Sequence, residues 1–514
     1  MKEIDASILQ FIPKGGFYNT ENEQLRVIQE LWQDFFENDR LLFALSSILP
    51  GTAYSKGRMA HVLLSNPLTK DDQAKALVPK ELLLDNFETK TVMFNLSRET
   101  TTRSLKNLLM LTGAKDQKGK PYLKRVNNAR TRKIILSYLF DRSQKSLEDL
   151  AVKYKSKVRR LVQHALGKQN VYKLLLGDDK TFRRFFGEKN KKAYPILLHL
   201  FNQQYDNKGY HYPKVEAYYE LREAARKKDL LKFRGVVLKE LIPYEVVVGF
   251  RNTYKLDVSL KNLLEKAVMS DKQKLQMESA ARTEGVELEI NYQKYDLYDL
   301  WKIFYFKVFN KDYENIQLVV DALKLKSKEK MGFNFGDTVV IFDCSESMKG
   351  SEKRPLHPFL TGLAAISTLQ DVTHVEYVGG KHIEVKGSDW NKVITPSGST
   401  NLWRALIRAV LRNPETIVVI SDGYENVVKG LFEEVYYHFR KLDFNFKLFH
   451  FNPVFASEVG GARKLAEDVK PMILSDYKFL ETNCMFQMLQ SDREQVKQFL
   501  VSRYQTLITQ KAEG

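Results

Sequence analysis

The sequence predicts a multidomain chain, an all-α helical-repeat (α-solenoid-like) N-terminal region followed by a doubly wound α/β domain. Two observations carry this prediction. Residues 96–325 read as successive amphipathic helical segments, each of roughly 10 to 20 residues, separated by short breaks that bear glycine and proline. Beyond residue 335 the pattern changes to short β-branched apolar runs alternating with helical stretches, as expected of parallel strands covered on both faces. At 514 residues, with 43% hydrophobic and 12% aromatic side chains, the chain can fill two or three cores.

Residues 1–95 read as a mixed helical start, with an apolar-rich helix at 23–36 and a second at 40–49 that Pro50-Gly51 stops. Residues 96–330 form a basic helical-repeat domain, broken at 113–121, 167–170 and 209–213. Within it, Ser146-Leu147-Glu148-Asp149 reads as a capping box. The box opens a helix whose apolar stripe runs through Leu147, Leu150, Ala151, Tyr154, Val158, Leu161, Val162 and Ala165 before Gly167 ends it. Pro243 suits the first turn of a later helix. A charged linker at 324–330 leads into the α/β domain, residues 336–514. Strands are predicted there at 338–342, 373–378, 383–385, 416–420 and 445–451, with a helix at 402–411 and a closing helix at 493–507.

The densest chemistry lies just past the first of these strands. Asp343-Cys344-Ser345-Glu346-Ser347 places one carboxylate and two hydroxyls on a single turn, a D-x-S-x-S spacing whose hard oxygens suit a divalent cation. The loop Ser397-Gly398-Ser399-Thr400-Asn401 adds the Thr400 hydroxyl ahead of a helix, and Asp422 adds a carboxylate just past the strand 416–420. In an open parallel sheet such loops gather outside the carboxyl ends of the strands. Ser and Asp at these places can also serve as simple helix caps.

On these residues, 336–489 resembles a von Willebrand factor A domain with its metal-ion-dependent adhesion site. The resemblance implies a metal set of Asp343, Ser345, Ser347, Thr400 and Asp422 holding Mg2+ (or Mn2+/Ca2+). It also implies a binding role, in which a carboxylate from a protein partner completes the coordination of the ion.

No enzyme constellation competes. The nine histidines lack paired ligand spacing, and the chain has neither a G-x-x-x-x-G-K-S/T loop nor a G-x-S-x-G elbow. Glu425, close after Asp422, could act as a base beside the metal, though a solvated surface role suits it better, and only Glu346 and Glu425 are near enough in sequence to serve a second ion in a metal-dependent nuclease. Two cysteines, Cys344 and Cys484, cannot build a disulfide framework, which points to a reducing, cytoplasmic setting. The start lacks a basic leader followed by an apolar core, and no apolar run approaches eighteen residues, so neither export nor membrane insertion is expected.

The formal net charge of +18 is unevenly held. Residues 336–514 carry 21 Lys and Arg against 22 Asp and Glu, a net of −1, whereas residues 101–200 carry 25 against 7, a net of +18. The excess sits on helical segments, and the candidate nucleic-acid-binding residues are Lys124, Arg125, Arg130, Arg132, Lys133, Lys153, Lys155, Lys157, Arg159, Arg160, Arg183 and Arg184. Clustered Lys and Arg bind phosphates through counterion release, and interleaved aromatics such as Phe182, Phe185 and Phe186 could stack on bases or fill a core. A local excess of this size opposes folding unless a polyanion or acidic surface relieves it.

A helical array of about 300 residues followed by a metal-site domain resembles, in order and size, the Ro autoantigen (TROVE plus von Willebrand A) family. The motif support for this lies in the second half, and no RNA-contacting residue is carried over. The resemblance implies a nonenzymatic protein that binds single-stranded or structured noncoding RNA. The alternative function is a scaffold or adaptor that works with a MoxR-type AAA ATPase or another protein complex, without nucleic acid.

Overall fold

A computed structural model describes residues 7–10, 21–65, 87–113, 125–187, 190–203, 205–206, 209–352, 354–425, 427–454, 463–491 and 493–512. The chain divides into two compact units. One joins residues 1–55 to 292–506, and the other comprises residues 56–291 with 507–514.

The first unit is built on a five-stranded parallel sheet of Thr338–Cys344 (β1), Val372–Gly379 (β2), Thr416–Ile420 (β3), Lys447–Asn452 (β4) and Pro471–Ile473 (β5), in the order β2-β1-β3-β4-β5. Every residue of β1 and β3 is buried, because helices cover both faces. On one face Val339, Ile341, Ile417 and Val419 meet Leu402 and Leu406 of the helix Leu402–Val410 and Phe432 of the helix Leu431–Lys441. On the other, Phe342 stacks on Phe359 of the helix His357–Thr368, and Tyr305 of the helix Leu297–Phe309 meets Phe359 edge to face at 5.3 Å. The sheet is thus doubly wound, as the alternation of apolar runs predicts.

Two strand predictions need correction. The segment at 383–385 does not join the sheet. Lys381–Glu384 pairs antiparallel with Lys392–Thr395 in a separate hairpin. The fifth strand went unpredicted, since three residues at Pro471–Ile473 are too few to show a period. The N-terminal helices of this unit pack near its C-terminal end: Phe35 of Glu21–Asn38 meets Phe486, and Asp39 caps Arg40–Ser46 while pairing with Arg493 at 2.9 Å. Both cysteines of the chain are buried as free thiols in this unit.

The second unit is helical. Its segments include Thr101–Leu111, Ala129–Phe140, Gln144–Lys153, Lys155–Leu166, Asp179–Phe186, Ala193–Leu200, Pro213–Lys227 and Tyr244–Tyr254. Lys155–Leu166 packs on Thr101–Leu111, Ala129–Phe140 and Ala193–Leu200, with Val158, Leu161 and Val162 fully buried. The single helix predicted from Ser146 to Gly167 is two helices, broken at Tyr154, whose φ of −120° and ψ of 28° leave the helical region. The capping box is also corrected. Ser143 caps the first helix by accepting from the Ser146 amide, and Glu148 turns away to accept from the Lys214 and Val215 amides. Those are orphan donors of Pro213–Lys227, a helix with no side-chain cap of its own, so a tertiary contact claims the residue that local spacing assigns to a box.

Candidate metal centre and candidate phosphate-binding surface

Asp343 ends β1 fully buried. Its Oδ1 accepts from the Ser345 amide at 2.9 Å and its Oδ2 from the Ser421 hydroxyl at 2.6 Å. The Ser345 and Ser347 hydroxyls lie 3.0 Å apart. Thr400 approaches because its loop is bonded to this one: the Ser397 amide donates to the Cys344 carbonyl at 2.8 Å and the Glu346 amide to the Gly398 carbonyl at 3.0 Å. Gly379 makes that approach possible. A Cβ there would stand 3.0 Å from the Ser397 carbonyl oxygen and 3.3 Å from the Ser345 Cα, and its φ of +73° favours glycine.

Asp422, nearly buried after β3, accepts from the Tyr424 amide at 3.0 Å, and its own carbonyl takes a hydrogen bond from the Asn452 side chain. Behind it the buried His450 ring contacts the Ser421 carbonyl at 3.0 Å, and burial pushes the imidazole down to about 4, so it is neutral.

Burial pushes the Asp343 carboxyl up to about 6, against the hydrogen bonds from Ser421 and Ser345, and the nearby Asp422 charge adds to the rise. The Thr400 hydroxyl oxygen is buried without a hydrogen-bond partner. Two carboxylates and three hydroxyls form the kind of oxygen set a hard divalent cation takes, and an orphan oxygen among them fits that use. Among the described residues no group of three or more His, Cys, Asp or Glu side chains gathers as a metal site.

The two carboxylates considered for a second ion are engaged elsewhere. Glu425 Oε2 accepts from the Gly430 and Phe432 amides at the start of Leu431–Lys441, and the exposed Glu346 pairs with Lys349.

Lys124 lies outside the described residues, and the other candidate cations fall at separate places on the helical unit. Arg132, Lys133 and Arg184 border a cleft of about 400 Å³ between Ala129–Phe140 and Asp179–Phe186. Phe182 and Phe186 are buried there against each other and Phe140, so they serve the core. Arg125 is exposed and donates to His164 at 3.1 Å. Lys153, Lys155, Arg159 and Arg160 instead line a hollow of about 890 Å³ formed with Pro213–Lys227 and Tyr244–Tyr254. Arg222 lines the same hollow, and sequence reading missed it because Glu216, Glu220 and Glu223 nearly balance the basic residues of its helix. Arg130, Lys157 and Arg183 line neither the cleft nor the hollow.

Of the eleven described candidates, only Lys153 and Arg183 form ion pairs, with Glu245 at 2.7 Å and Asp179 at 3.6 Å. Nine of these eleven cations therefore form no ion pair among the described residues. Among the described residues, no helix is long and apolar enough to cross a membrane.

No family model matches this chain, and no curated protein matches it. Among solved structures, the chain is similar to the crystal structure of the Deinococcus radiodurans RO (RSR) protein, with 12% identity, a TM-score of 0.41, and coverage of 93% of this chain and 96% of that one.

Proposed function

We propose that this chain is a nonenzymatic RNA-binding protein. Its helical unit, read as stacked helix pairs, grips phosphates, and the loops at the carboxyl ends of β1 and β3 hold a divalent cation. Asp343, Ser345, Ser347, Thr400 and Asp422 would be the ligands, and the bound cation would supply a Lewis-acidic position for a carboxylate of a protein partner. The observation that supports the first part is the placement of charge. Residues 101–200 hold a net of +18 and nine of the eleven described candidate cations form no ion pair among the described residues, while the α/β unit is close to neutral. If about six phosphates are neutralised, log affinity for RNA falls with log salt at a slope of roughly −5. Filter binding across a salt series tests this, and an absence of retained RNA at low salt overturns it.

The adaptor reading draws on a different observation. Tyr424, Val427 and Val428, close after Asp422, are exposed apolar side chains beside the candidate metal loops, where a protein partner could seat. Pull-downs with wild type and Asp343→Ala separate the two readings. The substitution should end protein capture and leave RNA binding intact if both halves of the proposal hold. Capture without any RNA binding favours the adaptor.

A further inference from the structure

The hollow on the helical unit contains a cation with no counter-ion. The Lys155 Nζ is buried and makes no hydrogen bond. It lies 4.8 Å from the centre of the Tyr218 ring and 5.7 Å from that of Tyr219. Arg159, Arg160 and Arg222 line the same hollow, and among the described residues none of the three forms an ion pair. Among the described residues no Asp or Glu lines it, and Lys153 at its rim pairs with Glu245. A buried amine surrounded by further cations is costly to fold unless an anion joins them. Burial and the Arg222 and Arg159 charges together push the amine down to about 8.

Aromatic rings line the hollow as well. Tyr218, Phe250 and Tyr254 form a ladder, with ring centres 5.4 Å and 6.2 Å apart, and all three line the hollow. Gly249 lines the hollow too and leaves open space, since a Cβ built there meets nothing within 4 Å. The volume, about 890 Å³, lies within the roughly 300–1,000 Å³ typical of small-ligand pockets. Guanidinium forks match phosphate oxygens, and aromatic faces stack on bases.

We propose that this hollow binds a nucleotide carrying a terminal phosphate monoester, with Lys155, Arg159 and Arg222 on the phosphate and Phe250 and Tyr254 against the base. The nucleotide could be a free mononucleotide or the 5′-phosphorylated end of a strand. The inference rests on reading the helical unit as phosphate-binding, but it names a different chemistry from contact along a strand.

Calorimetric titration of the full chain at low salt tests the proposal with AMP, adenosine, inorganic phosphate, a hexanucleotide with and without its 5′-phosphate, and a long 5′-hydroxyl RNA. The expected result is that AMP binds about tenfold or more tightly than either adenosine or phosphate, in line with charge-assisted hydrogen bonds. Lys155→Met should weaken AMP at least tenfold. Gly249→Leu should abolish binding by placing a side chain in the hollow, in a position where the helix gains from losing glycine, and an unchanged circular dichroism spectrum confirms that both variants fold. A phosphorylated hexanucleotide that outcompetes AMP identifies a strand end, and equal competition identifies a free nucleotide; either supports the site. AMP binding no tighter than phosphate, or wild-type affinity in both variants, overturns it. If the long RNA binds while AMP and the phosphorylated end do not, this inference falls and the RNA reading stands. If AMP binds and the RNA does not, the reverse holds.

Discussion

At the scale of single residues, the informative groups are those whose burial exceeds their partnering. Thr400 is buried with an orphan hydroxyl oxygen, a loss on the order of 1 kcal/mol in the absence of a ligand. Thr400→Ala should therefore leave thermal stability in chelator unchanged or slightly raised, while reducing the stabilisation that excess Mg2+ gives the wild type. Equal Mg2+ responses in the two proteins would remove Thr400 from the ligand set. His199 offers a test of acid sensitivity. It is fully buried between Tyr218 and Tyr219, and burial, with Lys155 adding, pushes its pKa down to about 3. The unfolded chain protonates near 6.5, so protonation favours the unfolded state. Stability is intact above pH 6.5 and falls toward pH 3 at no more than about 1.4 kcal/mol per pH unit. Urea melts at pH 7 and 5 should show a smaller drop for His199→Phe than for wild type, and parallel losses would refute the assignment.

At the scale of elements, close contact between β1 and its covering helix sets a limit on volume. Gly362 in His357–Thr368 sits over Phe342, and a Cβ there would come within 2.4 Å of the ring. Gly362→Ala should cost about 2 kcal/mol of the α/β unit's stability despite the better helix propensity of alanine, because the ring is fixed by stacking on Phe359. A denaturant midpoint at or above that of wild type would contradict this. The same scale shows what was legible in the sequence. The runs at 338–342 and 416–420 are readable because buried parallel strands are apolar throughout, and β3 spans the predicted residues without change. The loops bearing Asp343, Ser345, Ser347 and Asp422 follow from the ends of β1 and β3, whereas the Thr400 loop is readable from the helix Leu402–Val410 that it precedes. The break at Tyr154 was hidden because the apolar stripe continues across it in phase, so periodicity cannot register a change of axis. Arg222 and the aromatic wall were hidden for another reason. They come together with Lys155 through tertiary packing, 67 positions away in the case of Arg222, and no local spacing encodes such a meeting.

At the scale of the whole molecule, the uneven charge is the dominant fact. Residues 101–200 hold a net +18 and residues 336–514 a net −1, so screening acts on the two units unequally. Added salt should raise the melting temperature of the helical unit by several degrees and move that of the α/β unit little, because screening relieves self-repulsion where like charge is concentrated. Differential scanning calorimetry over a salt series reads both transitions. Equal shifts would show that the local excess is already compensated. A single-stranded polyanion should reproduce the effect of salt at far lower concentration if the surface binds phosphates.

The two buried thiols give the chain an internal reporter. Cys344 lies beside Asp343 and Cys484 within the helix Leu480–Ser491, and burial holds both thiols above their ordinary range, so neither is a thiolate in the folded state. Since the chain has no other cysteine, alkylation can proceed only when the α/β unit opens. The labelling rate then times the breathing of one unit with no signal from the other. Slower labelling on addition of Mg2+ would register occupancy of the loops directly, without any partner or any activity to assay.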